Sequence, residues 1–396
     1  MTDPLGQSQV LPYLEGLSNK GHSITLLSFE KPARLESSGA QIAELCRQAQ
    51  INWHPQKYTA KPPVFSALKD YRTMKSKALK LNAEQVFDVV HARGYLPAMA
   101  GRVLQKKYRV KLLFDMRGFW PDERVEGGIW NRKNPVFGFV YRYFKKQEKR
   151  LFKNADAVVS LTEAGKQIIQ QWPFMQLHQA DVSVIPCCAD FDHFSPNNVD
   201  TAKQQSLMEK LQLSEDNFVL SYLGSIGSWY MLPEMLDFFN VLLEFKPKAK
   251  MLFISRDEEE MIRREARGKG IDQEKIICHG VTRDKVPEML SMSHLSVFFI
   301  KPVFSKQASS PTKLAEILAM GIPAIANAGV GDVDRLYQQH FPGLLVKNFD
   351  MKAYRETLNK FFNKQAYPAE KFREVAQSNF SLADGIANYH KIYESL

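Results

Sequence analysis

Lys313 and Glu316 stand three residues apart at the head of an otherwise apolar stretch, residues 309–326, so on a helix they share one face. Ser309, Ser310 and Pro311 suit an N-cap and first turn, Gly321 suits a helix stop, and Pro323-Ala324-Ile325-Ala326 reads as the start of a buried strand. A helix start carries free N–H groups that attract phosphate, and Lys313 adds positive charge there. A carboxylate cannot partner phosphate, but Glu316 can accept hydrogen bonds from sugar hydroxyls. The pair suits a nucleoside diphosphate with its ribose. The plainer alternative is an ordinary capped helix followed by a core strand.

A second cluster lies in Leu112-Leu113-Phe114-Asp115-Met116-Arg117-Gly118-Phe119-Trp120-Pro121-Asp122-Glu123, which sets acids and an arginine just past a strand end, where wound sheets hold their ligands. Asp115 and Arg117 are the catalytic candidates here, Arg93 ends the preceding strand and can join them, and a structural salt bridge from Arg117 to Asp122 or Glu123 is the alternative. Gly224-Ser225-Ile226-Gly227-Ser228-Trp229-Tyr230 follows a buried strand and precedes a helix at 233–243, the expected place for phosphate contact. Arg256 either brings charge to that contact or pairs with the acidic run at 257–260. His22, His193 and His279, each lone, read as structural.

These residues need a scaffold, and the pattern of the 396-residue chain supplies an α/β one. The first half alternates a helix at 9–20, a strand at 23–29, a helix at 37–49, and strands at 88–91, 110–114, 156–162 and 182–186. A second wound unit begins with a strand at 218–224 and continues through strands at 249–255, 275–280 and 295–300. The organisation is read as 1–186 for an N-terminal domain, 187–372 for a nucleotide-binding domain, and 373–396 as a C-terminal helix returning to the first. Residues 2–8 read as a loop where a wound domain should begin with a strand, so the first N-terminal strand is missing, from a start placed too late or a trimmed chain. Neighbouring strands would then keep unpaired edges, and a longer form should melt higher.

Composition narrows the class. No apolar run reaches the ~18 residues of a membrane span, and residues 1–6 do not resemble a secretory signal, so a cytoplasmic protein is expected. Cys46, Cys187, Cys188 and Cys278 lack zinc or disulfide spacing and read as buried thiols. The net charge of +10 is uneven, with 14 basic against 5 acidic residues in 101–150. Residues 132–153 interleave basic residues with six aromatics and read as a basic amphipathic helix. Either its aromatics face the core and its charges are solvated, or it meets the inner face of the cell membrane peripherally. No nucleic-acid-binding motif accompanies the charge.

The segment at 311–325 resembles the donor-binding signature of glycosyltransferase family 4, P-[ST]-K-x-x-E-Y-L-A-x-G-x-P-V-I. Gly21-His22-Ser23-Ile24-Thr25-Leu26, the strand at 154–162 and Ile185-Pro186-Cys187-Cys188-Ala189-Asp190-Phe191-Asp192-His193-Phe194-Ser195-Pro196 are similar to further family segments, so the resemblance spans nearly the whole chain. Asp115, Arg117 and Trp120-Pro121 resemble E-V-R-D-L-W-P-E of members acting on bacterial surface sugars.

The resemblance implies the GT-B fold, two doubly wound Rossmann-like domains facing across a cleft. It implies a retaining glycosyltransferase moving a hexosyl group from a nucleotide-sugar donor to a hydroxyl of a glycan or lipid-linked acceptor in surface polysaccharide biosynthesis. Thr312, Lys313 and Glu316 would bind donor, with Gly224, Ser225 and Arg256 nearby, and Gly6 would let backbone approach donor diphosphate or acceptor. The chain departs from the pattern at Ala308, where a first Glu is usual, at Gly118, where Asp is usual, and at Ser225, where the family loop is basic. No DxD-like cluster stands out, so neither metal nor cofactor is expected. A GT-B sugar-nucleotide epimerase and a catalytically silent binding or scaffold protein remain open alternatives.

Overall fold

The computed structural model describes residues 1–62, 65–176, 181–257, 259–363 and 367–396. The chain divides into two compact units, one formed by Met1–Cys188 with Leu382–Leu396 and the other by Ala189–Ser381. The return to the first unit thus comes at Leu382 and not at 373. The helix Ala369–Phe380 belongs to the second unit because Phe372, Val375 and Ala376 sink into that unit's core.

In the first unit every strand pairing is parallel. β1 (Ile24–Glu30) pairs with β2 (Ile51–Lys57) from Ile24 opposite Ile51 to Glu30 opposite Lys57. β3 (Val89–Arg93), β4 (Lys111–Asp115), β5 (Ala157–Ser160) and β6 (Val182–Val184) form a separate sheet in that order. Among the described residues no strand bridges β1 to β3, so one doubly wound sheet stands as two pieces. β2 escapes a sequence reading because Pro55 interrupts it, yet Pro55 is tolerated opposite Ser28 on an edge strand. Residues 4–9, expected as a loop, form the short helix Pro4–Gln9, with Pro4 in its first turn and Asp3 capping the Gly6 N–H at 2.9 Å.

The second unit has one six-stranded parallel sheet. β7 (Val219–Leu223), β8 (Lys250–Ile254), β9 (Ile276–Cys278), β10 (Leu295–Phe298), β11 (Ala324–Asn327) and β12 (Leu345–Val346) stand in the order β12-β11-β10-β7-β8-β9. β7, β10 and β11 are buried at every position, as strands covered by helices on both faces must be. The chain reverses direction across the sheet between β7 and β10. In wound sheets the crevice beyond the carboxyl ends of such a strand pair is where ligands bind.

Candidate functional site

Both residues that open a loop or helix above this reversal come from the sequence candidates. Gly224 follows β7 with φ +95°, a left-handed conformation that disfavours side chains, and a Cβ there would lie 3.6 Å from the Lys313 Nζ. Lys313 is the second residue of the helix Thr312–Ala319, whose start has no side-chain cap. Its first-turn N–H groups carry partial positive charge at the same end of the helix as Lys313.

Lys313 is 7% exposed. Its Nζ donates to the Tyr222 hydroxyl at 2.9 Å and lies 4.0 Å from the Tyr222 ring centroid and 3.6 Å from that of Tyr230. Cation–π contact of this kind is worth about 2 kcal/mol when desolvated. No carboxylate forms an ion pair with Lys313 among the described residues. Burial therefore pushes the ammonium well below the usual lysine range, with Glu316 and Asp257 opposing from a distance.

Glu316, one turn on and 8% exposed, receives a 2.8 Å hydrogen bond from Arg283 Nη1 on its Oε1. Burial pushes its carboxyl up, and Arg283 is the main opposing influence. Arg283 is held in turn by the Phe194 ring, 5.2 Å away, while its carbonyl meets His193 Nε2 at 3.2 Å. His193 is thus a brace for the arginine that orients Glu316.

Ser225 meets the site through its backbone, its carbonyl accepting from the Tyr222 hydroxyl at 2.7 Å, and Asp257 anchors the same loop by accepting from the Ile226 N–H. Thr312 begins the helix. Arg256 stands apart from these residues, exposed, with its Nε donating 2.9 Å to the Val281 carbonyl. Of the acidic run expected to partner it, Glu258 lies outside the described residues, Asp257 holds the loop, Glu259 pairs with Arg263 at 2.6 Å and Glu260 pairs with Arg267.

The first unit holds the second cluster. Asp115, fully buried at the end of β4, has Oδ2 3.0 Å from the Tyr389 hydroxyl, 3.4 Å from His91 Nε2 and 3.5 Å from Arg93 Nη1, and its Oδ1 lies 3.6 Å from Arg117 Nη1. Burial alone would raise the carboxyl, but Arg117, His91 and Arg93 hold it well below the usual carboxylate range. Arg117 sits at φ +60° and Gly118 at φ +126°, a strained turn that folds the arginine back over its own strand. The glycine standing at 118 is what this turn requires. The alternative partner Asp122 is occupied elsewhere, accepting from the Tyr141 hydroxyl at 2.8 Å and Lys145 Nζ at 2.9 Å.

Gly6 departs from its expected role. It lies inside the helix Pro4–Gln9, its N–H is committed to Asp3, and a Cβ there would come within 2.6 Å of Met1 backbone. Its lack of a side chain serves that packing. Arg283, His91, Tyr222 and Tyr389 were not legible as site residues, whereas Tyr230 lies in the 224–230 segment read as a phosphate contact. Tyr222 left only a faint trace, as one of two hydroxyls, with Ser221, in a strand of otherwise apolar residues.

Comparison with known proteins fits this geometry. The family model for Glycosyltransferase Family 4 matches residues 8–193 and that for Glycosyl transferases group 1 matches 203–379. No curated protein matches in sequence. Among solved structures, a sucrose-phosphate synthase from Thermosynechococcus elongatus shares 15% identity with a TM-score of 0.69, covering 94% of this chain and 98% of that one. A glycosyltransferase from Rickettsia africae ESF-5 shares 18% at TM-score 0.68, covering 99% and 96%. WaaG, a glycosyltransferase involved in lipopolysaccharide biosynthesis, shares 14% at TM-score 0.68, covering 98% and 95%. With two Rossmann-like units and both family models matched along its length, the chain is a glycosyltransferase of the family 4 type with a GT-B fold.

Proposed function

We propose that this glycosyltransferase moves a hexosyl group, with retention of configuration, from a nucleoside-diphosphate sugar to a hydroxyl of a glycan or lipid-linked acceptor in surface polysaccharide synthesis. The observation that carries the donor assignment is the buried Lys313 ammonium, set beside Gly224 at an uncapped helix start and left without an ion-pair partner among the described residues. A diphosphate supplies the missing negative charge. Glu316, with Oε1 held by Arg283, presents its other oxygen to sugar or ribose hydroxyls. As the bond to the donor sugar breaks, charge gathers on the departing phosphate, and Lys313 with the helix dipole stabilises it there, so catalysis rests on electrostatics and positioning. No metal is required by this scheme, and turnover is expected to persist in chelator.

A panel of UDP, GDP, ADP and their sugars, read by thermal shift, tests the donor assignment, because binding to the native state raises the melting point. Selective stabilisation by one nucleotide supports it; no shift with any of them removes it.

The acceptor side adds a surface. The helix Pro135–Asn154 buries Leu151 and Phe152 but exposes Val136 (60%), Phe139 (64%) and Tyr143 (41%) beside Arg142, Lys146, Lys149 and Arg150. This interleaving of apolar and cationic groups supports a reading of peripheral attachment to an anionic lipid surface, at the cytoplasmic face of the membrane. No helix among the described residues is long and apolar enough to cross a membrane. Co-sedimentation with phosphatidylglycerol vesicles, reduced by Phe139→Ser, is expected; equal recovery with neutral vesicles would count against it.

A further inference from the structure

Around Asp115 the charges do not balance. One buried carboxylate faces two guanidiniums, Arg93 at 3.5 Å and Arg117 at 3.6 Å. Burial keeps three further groups of the cluster uncharged. Burial pushes the Tyr389 and Tyr13 phenols up, and burial pushes the Cys188 thiol up to about 12. The cluster therefore carries an excess positive charge in a largely enclosed place, which is costly unless an anion completes it.

The donors to receive that anion are present. The Arg93 guanidinium, with its side chain 32% exposed, makes no hydrogen bond among the described residues. Arg117, 17% exposed, spends one N–H on Cys187 Sγ at 3.3 Å. Asp115 Oδ1 has no hydrogen-bond partner although it is buried. The two arginines also press on each other: burial, and next the charge of Arg117, hold Arg93 below the usual arginine range. An arrangement that strains the backbone at Arg117 to bring a second guanidinium beside the first is uneconomical for a purely structural ion pair.

We propose that Arg93 and Arg117 form an oxyanion-binding site that takes a phosphate or carboxylate group of the acceptor, with Asp115 holding the two guanidiniums in place. The proposal rests on the transferase reading for its word acceptor. Two forks suit bidentate contact with such a group, and a neutral acceptor would leave them unpaired. Asp115, acting through the arginines, is a positioning residue.

Calorimetric titration of the full chain with inorganic pyrophosphate and, separately, with glucuronate tests this. Pyrophosphate is expected to occupy two sites in the unaltered protein, one of them lost in Arg93→Gln and in Arg117→Gln, the other lost in Lys313→Ala. Binding of the nucleotide that wins the thermal-shift panel should be unchanged in Arg93→Gln. Should the glutamine variants fold poorly by near-ultraviolet dichroism, Arg93→Lys keeps the charge without the fork and should weaken the site at least tenfold. Tighter binding of pyrophosphate assigns the anion to a lipid-linked diphosphate, and tighter binding of glucuronate assigns it to an acidic sugar. Undiminished stoichiometry and affinity in Arg93→Gln and Arg93→Lys, or binding of neither anion outside the Lys313 site, overturns the proposal. Absence of nucleotide binding with the Arg93 site intact would instead sink the donor assignment and leave the oxyanion site standing.

Discussion

At the head of the helix Thr312–Ala319 a cation is seated on two aromatic faces with no carboxylate in ion-pair range among the described residues, whereas at the end of β4 a carboxylate is ringed by two guanidiniums, an imidazole and a phenol. The first arrangement holds its charge in suspense, since Lys313 is pushed toward its neutral form until an anion arrives. The second supplies its own counter-charge for one of its two cations, and Asp115 stays ionised whether or not a ligand is present. A ligand should therefore change protonation at the lysine and leave the aspartate untouched. Buried charge alone does not distinguish a site from a structural tie; what distinguishes these two is which partner is missing.

The sharpest way to break the comparison is Asp115→Asn. It strips the carboxylate from two enclosed guanidiniums and should cost about 3–5 kcal/mol in chemical denaturation, because removing one partner of a buried pair leaves the other uncompensated. Lys313→Met goes the opposite way for stability. The apo melting point should hold or rise, since an unpaired buried cation is removed, while turnover falls about 10²–10³-fold, equivalent to about 3–4 kcal/mol of transition-state stabilisation. A melting point that drops as for Asp115→Asn would show that the lysine is structural after all. Glu316→Gln, which deprives Arg283 of its charged partner, should weaken nucleotide binding by about 1.5–3 kcal/mol in titration calorimetry.

The smallest effect concerns protons. The folded-state pKa of Lys313 is depressed, so the unfolded chain binds the proton more tightly. Apo stability contributed by this group should rise with pH between that lowered value and the unfolded value near about 10.4. In the same window nucleotide binding should take up a proton, detectable as a dependence of calorimetric heat on the ionisation enthalpy of the buffer. Buffer-independent heats there would mean that Lys313 is already charged without ligand.

Apart from β2 and β12, sequence reasoning reached the strands of both units to within a residue or two at most ends, because strands buried on both faces are written as mostly apolar runs such as 219–223 and 295–298. Lys313 and Glu316 were legible for the converse reason, as charges inside such a run. Arg283 was not. It sits in a short 3₁₀ turn between polar neighbours, where nothing local separates an arginine that reaches 33 positions along the chain from one that faces water. Gly6 misled because a glycine near a chain start reads as a flexible loop, while Asp3 and Pro4 were already sufficient to begin a helix. The Arg117 turn was half legible. The departure to Gly118 was visible, but its φ +126° requirement was not.

The helix Leu382–Ser395 carries Tyr389 and Tyr393, which close over Asp115 and His91, and it belongs to the first unit although the whole second unit precedes it in the chain. Synthesis from the ribosome therefore finishes the second unit's contiguous residues before the first unit can complete its charged centre. Until residues 389–393 emerge, His22, His91 and Tyr13 lack the ring partners His390, Tyr393 and Tyr389. The first unit waits as an open shell, its charged centre completed only once residues 382–396 have been made. Nascent chains arrested before Leu382 should accordingly resist protease in residues 189–381 while remaining susceptible in residues 1–188.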